Sequence, residues 1–188
     1  MNRRFVVSTA SALALAAGAA FSINATAAAD PAKSTVTAVF KQMNVPVTGS
    51  FNQFTADVHF DPANVAASNA KIDVQVASFD IGSPEYNQEV AGDEWFDAAH
   101  FPHATFVSSH ITPGANGAYS VAGKLTIRGK ATDVVVPVQF HKEGANQVFD
   151  GTLPIKRLTY GIGSGEWKDT SVVADEVQIR FHIVTAAR

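Results

Sequence analysis

The sequence predicts an all-β protein in which eight antiparallel strands close into a barrel. The first observation is alternation, because apolar and polar residues take turns along most of the chain after residue 33, as they do in strands with one buried face. The second is length, since several of these segments exceed the usual five or six residues of a strand. The third is that short turn sequences connect them, which makes neighbouring strands antiparallel.

The alternation is clearest in the segments FTADVHF, KIDVQV, VAGKLTIRG and VQIRFHI. In each, the apolar side chains fall on one face and the charged or amide side chains on the other. The apolar residues of these and neighbouring strands that are expected to face the barrel interior are Phe54, Val58, Phe60, Val74, Val76, Leu125, Ile127, Val136, Val138, Phe140, Ile179 and Phe181.

Eight long strands with a single apolar face must bury that face and protect their edges, and closure into a barrel does both. A barrel of eight strands is just wide enough to be filled by side chains or to hold one small ligand. A two-sheet sandwich is the structural alternative. The predicted strands cover residues 34–42, 47–61, 70–80, 103–112, 118–128, 131–142, 146–156 and 175–185.

A short helical insertion is predicted around residues 84–99, between the third and fourth strands. Ser83 and Pro84 are typical of a helix start, because proline fits the first turn. Gly92 is expected to end that helix, and Asp93 to cap a second short one that ends near Ala99.

Residues 1–29 predict a secretory signal peptide. Two arginines precede an apolar stretch from about residue 5 to residue 23, and a run of small residues follows. We expect cleavage before Asp30 and export to the periplasm. The alternative is a retained membrane anchor, although the stretch is rich in alanine and only weakly apolar. Residues 30–188 are then the size of one domain.

The composition argues against several classes of function. The formal net charge is −3, and removal of the two leader arginines, each +1, takes it to −5, so nucleic acid is not an expected partner. The chain has no cysteine, which removes disulfides and thiol chemistry. Neither the histidine spacing nor the serine context matches a metal site or a nucleophile elbow, so no metal, cofactor or catalytic set is expected.

Several longer stretches resemble a known family when they are taken together. They are the leader-like N-terminus, VTGSFNQFTADVHFD, EWFDAAHFPHATFVSS, VAGKLTIRGKATDVVVPVQF and RLTYGIGSGEWKDTSVVADEVQIRF. In combination they resemble the YceI-like family of lipocalin-like proteins, from about Ser34 to Ala186. The resemblance implies an extended eight-stranded barrel with a long pocket for polyisoprenoid or similar amphiphilic lipids, such as quinones. It implies no catalytic residues.

The resemblance also implies a second role. Some relatives accompany cytochrome b561-type membrane proteins, so an accessory partner that acts on such a redox protein by surface contact is the alternative to a lipid carrier or buffer. An exposed barrel rim with aromatic residues is compatible with a homodimer or with docking on a bilayer.

A polyprenyl tail has no hydrogen-bonding groups, so its site needs apolar walls and little else. The inward-facing residues are such walls, but the pattern alone favours a core in which they pack against one another, and it is the family resemblance that favours a ligand site. The aromatic residues Trp95, Phe96, Phe101 and Phe106 lie where the insertion returns to a strand. They would either plug one end of the barrel or form an entrance for the ligand.

The glycine-rich segment TYGIGSGEW is predicted to be a flexible loop at the barrel mouth, because it lacks the strand–loop–helix context of a phosphate-binding loop. Arg157, Tyr160 and Trp167 flank it. Arg157 is the candidate to bind a polar or pyrophosphate head group, since guanidinium pairs well with phosphate oxygens. The alternative for Arg157 is a structural salt bridge to Asp169 or Asp175.

Overall fold

The computed structural model describes residues 27–186, and the structural statements below concern these residues. They form eleven β-strands, one α-helix and four short 3-10 turns. The strands and the helix are β1 (Ala27–Ala28), β2 (Thr35–Gln42), β3 (Val45–Phe51), β4 (Phe54–His59), β5 (Asn69–Gln75), β6 (Phe79–Asp80), α1 (Pro84–Ala91), β7 (His103–Pro113), β8 (Ala118–Ile127), β9 (Lys130–Glu143), β10 (Asn146–Lys156) and β11 (Glu176–Ala186). The 3-10 turns are Val65–Ala67, Val76–Ser78, Arg157–Tyr160 and Gly165–Lys168.

The strands form one antiparallel sheet that closes on itself. The hydrogen-bonded order is β1-β4-β5-β7-β8-β9-β10-β11-β2-β3-β6. Along the chain, β3 leads into β4 across two residues and β5 leads into β6 across the turn Val76–Ser78. β3 and β4 thus form one interrupted strand, and β5 and β6 form another. Because β4 pairs with β5 and β3 pairs with β6, these two interrupted strands make a single bent hairpin that joins the two ends of the sheet. The sheet therefore curls into a barrel with eight strand positions.

The predicted fold class, an all-β antiparallel barrel of the lipocalin-like type, is confirmed, and the sandwich alternative is wrong. The predicted number of strands differs, because two of the eight predicted strands are broken. The predicted strand 47–61 is interrupted at Asn52 and Gln53, and 70–80 is interrupted by the turn Val76–Ser78. The short β1 adds one further strand.

The breaks follow from a change in which residues point inward. Phe51 at the end of β3 faces the interior, whereas in β4 the inward residues are Ala56 and Val58, so the inward phase changes from odd to even numbers. A regular strand turns alternate side chains to opposite faces and cannot make this change. The same shift separates Val74 in β5 from Phe79 in β6.

The barrel has two ends with different connections. We call the upper end the one that carries the β2–β3 turn, helix α1, the β8–β9 turn and the connection 157–175. The lower end carries the connection 60–68 and the β7–β8 and β9–β10 turns.

Helix α1 runs from Pro84 to Ala91 and ends at Gly92, as predicted. The second helix predicted to follow it is absent, and residues 92–100 form turns instead. Asp97 has a φ of 52°, and its N–H donates to the Gly92 carbonyl at 2.7 Å. A left-handed residue at this position breaks the right-handed path that a helix requires.

The predicted signal peptide lies outside the described residues except for its last three. Ala27 and Ala28 pair with β4, and the Ala29 N–H donates to the Ala56 carbonyl at 2.8 Å. The next residue, Asp30, donates its N–H to Val184 of β11 at 2.7 Å. This segment therefore bridges β4 and β11. None of the helices within residues 27–186 is long and apolar enough to cross a membrane.

Two glycines make room for aromatic rings inside the barrel. Gly151 lies directly opposite Phe181 in the β10–β11 ladder, and a Cβ atom at position 151 would overlap the Phe181 ring. A Cβ atom at Gly123 in β8 would likewise overlap the Phe106 ring of β7, which lies diagonally across the ladder from it. The two rings occupy the space that side chains at these glycines would fill.

Replacing Gly151 with alanine is expected to lower the free energy of unfolding by about 1–3 kcal/mol, because the added methyl group displaces the Phe181 ring in a packed wall. Urea unfolding followed by tryptophan fluorescence measures this loss. The double variant Gly151→Ala/Phe181→Leu is expected to recover part of it, since the smaller side chain no longer overlaps the methyl group. An unchanged midpoint for Gly151→Ala alone would show that the ring moves aside at no cost.

Candidate ligand cavity

The barrel interior contains a cavity of about 270 Å³, taken as the space open to the centre of a water molecule. Protein interiors are normally packed with few voids larger than one water molecule. Ligand pockets commonly measure about 300–1,000 Å³, so this cavity is close to the lower end of that range. Its walls are aliphatic and aromatic apart from five residues, which are Gln42, Asn69, Glu89, Thr105 and Arg157.

Fourteen of the nineteen residues predicted to bind a ligand line this cavity. They are Val58, Phe60, Val74, Trp95, Phe96, Phe106, Leu125, Ile127, Val136, Val138, Arg157, Trp167, Ile179 and Phe181. The structure thus brings together side chains from six of the strands and from the connections 60–68, 92–102 and 157–175. That these residues contact a ligand stays a prediction.

The other five predicted residues are not part of the cavity wall. They are Phe54, Val76, Phe101, Phe140 and Tyr160. Two of these differences arise at the strand breaks. Phe54 begins β4 immediately after the first break and packs against the hydrophobic core. Val76 lies in the second break, where it is buried and its N–H donates to the Pro102 carbonyl at 3.0 Å.

Two more of the five lie against strands β8 and β9 at the upper end. The Phe101 ring lies so close to Gly129, in the β8–β9 turn, that a Cβ atom there would be 2.9 Å from it. Tyr160 is buried, and its hydroxyl forms a hydrogen bond with the Thr132 hydroxyl of β9. Both side chains therefore support the wall from beside the cavity.

A cluster of four aromatic rings closes the lower end. Phe60 is the centre, with its ring centroid 4.7 Å from that of Phe140, 5.0 Å from Tyr119 and 5.4 Å from Phe149. Tilted and edge-to-face contacts of this kind are favourable for aromatic pairs. Tyr119 and Phe149 also line the cavity, although neither was among the residues predicted to bind a ligand.

Aromatic residues of the predicted cluster form the upper wall. The Phe96 ring packs edge-on against Phe51 and Phe79, with centroids 5.9 Å apart in each case. Trp95 is buried against Trp167 at 5.3 Å. Trp95 and Phe96 therefore belong to the cavity wall at this end.

Arg157 was predicted to bind a ligand head group, but in the structure its donors are fully used by the protein. The side chain is 1% exposed, although it reaches the cavity wall. An arginine has five N–H donors. All five meet backbone carbonyls, which belong to Ala174 (3.1 Å), Ile162 (2.9 Å), Gly163 (3.2 Å), Trp167 (2.6 Å) and Val173 (2.7 Å).

The alternative prediction for Arg157, a salt bridge to Asp169 or Asp175, is wrong. Within residues 27–186 no carboxylate lies within 4.0 Å of the guanidinium. Burial lowers the pKa of Arg157, and the negative charge of Asp175 opposes this shift from a greater distance. An arginine nevertheless keeps its proton in proteins. The buried charge is therefore stabilised by carbonyl dipoles and by the Trp95 ring, whose centroid is 5.8 Å away.

The segments 92–100 and 157–175 together form what we call the upper cover. The Glu94 carbonyl accepts hydrogen bonds from the N–H groups of Gly163 (2.8 Å) and Ser164 (2.7 Å). The Arg128 side chain donates to the carbonyls of Gly161 and Asp93. The glycine-rich segment was predicted to be flexible, but these hydrogen bonds hold it to the rest of the cover.

Three of the four exposed residues that line the cavity mark a mouth at the upper end, whereas the fourth, Asn69, lies at the lower end where β5 begins. Gln42 ends β2, while Tyr86 and Glu89 lie on α1, and all three are exposed. The mouth therefore lies between the tip of the β2–β3 hairpin and helix α1.

Helix α1 is held at this mouth by a local hydrogen-bond network. The Asn87 side chain donates to the Asp80 carboxylate at 2.8 Å and accepts from the Ile81 N–H at 2.9 Å. The bonds from the Asn87 side chain and from the Gly82 N–H lower the pKa of Asp80. Asp80 therefore remains an ionised acceptor to a lower pH than an ordinary aspartate, and this joins β6 to the helix.

Four of the six histidines in residues 27–186 lie near a carboxylate: His100 near Asp97, His103 near Asp73, and His141 and His182 near the shared Asp150. Their Nδ1 atoms lie 2.6 Å from Asp73 in the case of His103 and 2.7 Å from Asp150 in the case of His182. Within residues 27–186 no group of three or more His, Asp or Glu side chains is arranged to hold a metal ion.

A closed antiparallel barrel around an apolar interior cavity defines a lipocalin-like protein. Residues 28–185 match the model of the YceI-like domain, and the chain belongs to this family. The resemblance seen in the sequence is thereby confirmed.

Solved structures and curated relatives agree with this assignment. The crystal structure of Burkholderia cenocepacia BcnA is 58% identical, covers 83% of this chain and 98% of its own, and superposes with a TM-score of 0.82. A UPF0312 protein of Vibrio cholerae is 28% identical over 141 residues, which are 70% of this chain and 75% of that protein. A polyisoprenoid-binding domain from Saccharophagus degradans, implicated in plant cell wall breakdown, shares the fold with a TM-score of 0.67 at 18% identity, over 86% of this chain and 98% of that one.

Replacing Arg157 with leucine is expected to reduce the free energy of unfolding by about 3–5 kcal/mol, because several buried carbonyls lose their only side-chain donor. The matched control is Arg180→Leu, since Arg180 is exposed on β11 and donates only to the Gln178 side chain. This control is expected to change stability by no more than about 0.5 kcal/mol. Thermal and urea unfolding measure both variants, and equal losses would contradict a special role for Arg157.

Proposed function

We propose that this protein binds one apolar or amphiphilic lipid, with a polyisoprenoid or quinone-like tail, in the barrel cavity. The observation that carries the proposal is the cavity itself, whose wall is aliphatic and aromatic apart from five residues. A tail without hydrogen-bonding groups is the ligand that such a wall fits, because a polar ligand would lose its hydrogen bonds to water without replacement.

The contribution of the tail to affinity can be bounded. Burying about 400–600 Å² of apolar tail gives roughly 10–15 kcal/mol before costs, at about 25 cal/mol per Å². Ordering and desolvation reduce this considerably. The gain comes from area and not from directed contacts, so the site is expected to distinguish tails by length and bulk more than by functional group.

The head group is proposed to lie at the mouth. Arg157 has no free donor for it, since its five N–H groups bind carbonyls of the upper cover. Gln42, Tyr86 and Glu89 are exposed and polar at the opening. A head group placed there keeps contact with water while the tail fills the barrel.

The family supports this proposal through the Saccharophagus degradans domain, which is described as polyisoprenoid-binding. We further propose that the protein is exported to the periplasm, acts as a carrier or buffer and performs no bond chemistry. An accessory role beside a cytochrome b561-type membrane protein and assembly into a homodimer stay predictions.

Organic extraction and mass spectrometry of protein purified from its native host test the proposal. We expect about one lipid molecule per protein chain for the wild type. Protein with Val136→Trp is expected to carry much less bound lipid than the wild type. Val136 is 5% exposed and lines the cavity, so the larger indole side chain would occupy the space of the lipid tail.

The matched control is Val135→Trp, which changes the neighbouring residue on the outer face of the same strand, where Val135 is 61% exposed. This variant is expected to keep its lipid. Ala104→Leu is a second, smaller change inside the cavity, and it provides the same test if Val136→Trp fails to fold. Wild-type protein without lipid, or equal lipid in all variants, would refute the proposal.

A further inference from the structure

We propose that the upper end of the barrel docks on a lipid bilayer, with the tip of the β2–β3 hairpin entering the membrane interface and the cavity mouth facing the membrane. This inference rests on the proposed function, because a cargo with an apolar tail resides in a bilayer and has no favourable path through water. The docking surface consists of Met43, Val45 and Tyr86, and we call it the rim patch.

The inner wall of the cavity continues past the mouth onto the hairpin tip. Phe40 and Gln42 of β2 line the cavity. In the β2–β3 ladder Val45 pairs directly with Gln42, and directly opposed residues of an antiparallel pair point to the same face. Val45 therefore extends the cavity-facing side of the hairpin, yet it is 63% exposed. A tail leaving the cavity along this wall passes over Val45.

The other two members of the rim patch flank the same opening. Met43 lies in the turn of the hairpin with a φ of 49° and is 72% exposed. Tyr86 lines the cavity from the α1 side and is 58% exposed. Tyrosine is enriched at membrane–water interfaces, where its ring is apolar and its hydroxyl is hydrated.

Exposed apolar side chains are concentrated at this place. Residues 27–186 contain five strongly exposed large apolar side chains, and three of them form the rim patch. The other two, Val107 and Val135, lie on the outer wall of the barrel in β7 and β9. Grouping around an opening is what distinguishes a contact surface from the scattered apolar residues of any protein surface.

The hairpin tip is held firmly enough to carry a contact. The Met43 N–H donates to the Val172 carbonyl at 2.7 Å, and the Lys41 carbonyl accepts from the Ala174 N–H at 2.9 Å. Both bonds join the hairpin to the upper cover, which Arg157 holds from within.

The charges near the rim patch indicate which part of the bilayer it recognises. Lys41 and Lys168 are exposed at the upper end, but so are Glu85, Glu89 and Glu166. Because the signs are mixed, anionic head groups gain no net attraction from this surface. Docking is therefore expected to depend on apolar burial, to occur on zwitterionic membranes and to be nearly insensitive to salt.

Flotation of the purified protein with phosphatidylcholine vesicles tests the inference. The wild type is expected to float with the vesicles at low and high salt. Val45→Asp is expected to weaken partitioning about tenfold, since an ionised side chain replaces an apolar one at the membrane interface. The matched control, Val135→Asp, places the same change at a valine of nearly equal exposure, 61% against 63%, and is expected to float like the wild type.

One further measurement separates this inference from the proposed function. Binding of an apolar fluorophore without vesicles reports on the cavity. The wild type, Val45→Asp and Val135→Asp are expected to bind it equally. Failure of the wild type to bind the fluorophore would count against the proposed function, whereas flotation alone decides the docking. Equal flotation of the two aspartate variants, or no flotation of the wild type, overturns the docking. A wild-type dimer that Val45→Asp dissociates, without vesicle binding, also overturns it and assigns the rim patch to a second copy.

Discussion

One arginine side chain without solvent exposure organises the upper end of this barrel. The connection between β10 and β11 contains two short 3-10 turns and no strand, so several of its carbonyls have no partner in a ladder. Buried backbone carbonyls need donors, and Arg157 supplies five from a single rigid group. The cost of burying its charge is offset by these converging dipoles. Without them the segment that covers the cavity would have to open to water.

The cavity exists because large and small inward side chains are distributed unevenly along the barrel. Aromatic rings are gathered at the two ends, around Phe60 below and around Trp95 and Phe96 above. Along the walls, small residues such as Ala38 and Ala104 also point inward. The rings therefore close the lower end and the upper end apart from the mouth, and they leave the middle of the barrel open. An eight-stranded barrel lies at the size where such a choice of side chains decides between a packed core and a binding site.

The fold was predictable to a large extent, and the reasons for the errors are physical. Alternation and turn chemistry predicted the barrel, because both depend on local sequence alone. The two strand breaks also left a signal, since the inward phase changes between Phe51 and Ala56. Overlooking the second break placed Val76 on the cavity wall, whereas Phe54 follows the inward phase of β4 and packs against the core beside the cavity. Tyr119 and Phe149 were overlooked although both follow the inward phase of their strands, so closer attention to β8 and β10 would have found them.

The role of Arg157 could not be predicted in this way. Its partners are carbonyls of residues up to seventeen positions away, and their convergence depends on the path of an irregular connection. The sequence showed a cation near a glycine-rich segment, which is the same signal that a phosphate site gives. Only the three-dimensional arrangement distinguishes a donor that is free for a ligand from one that is already occupied.

The bent hairpin that closes the barrel has a consequence for the range of guests that fit. Strand β6 is joined to β3 at only two residue pairs, whereas β10 and β11 share eleven. Local opening is easiest where the fewest contacts must be broken. The wall beside α1, where β6 pairs with β3, is therefore the part of the barrel that is expected to open most easily. Opening of this part of the wall would enlarge the cavity on one side only, which would let the barrel accept a molecule bulkier than the resting cavity.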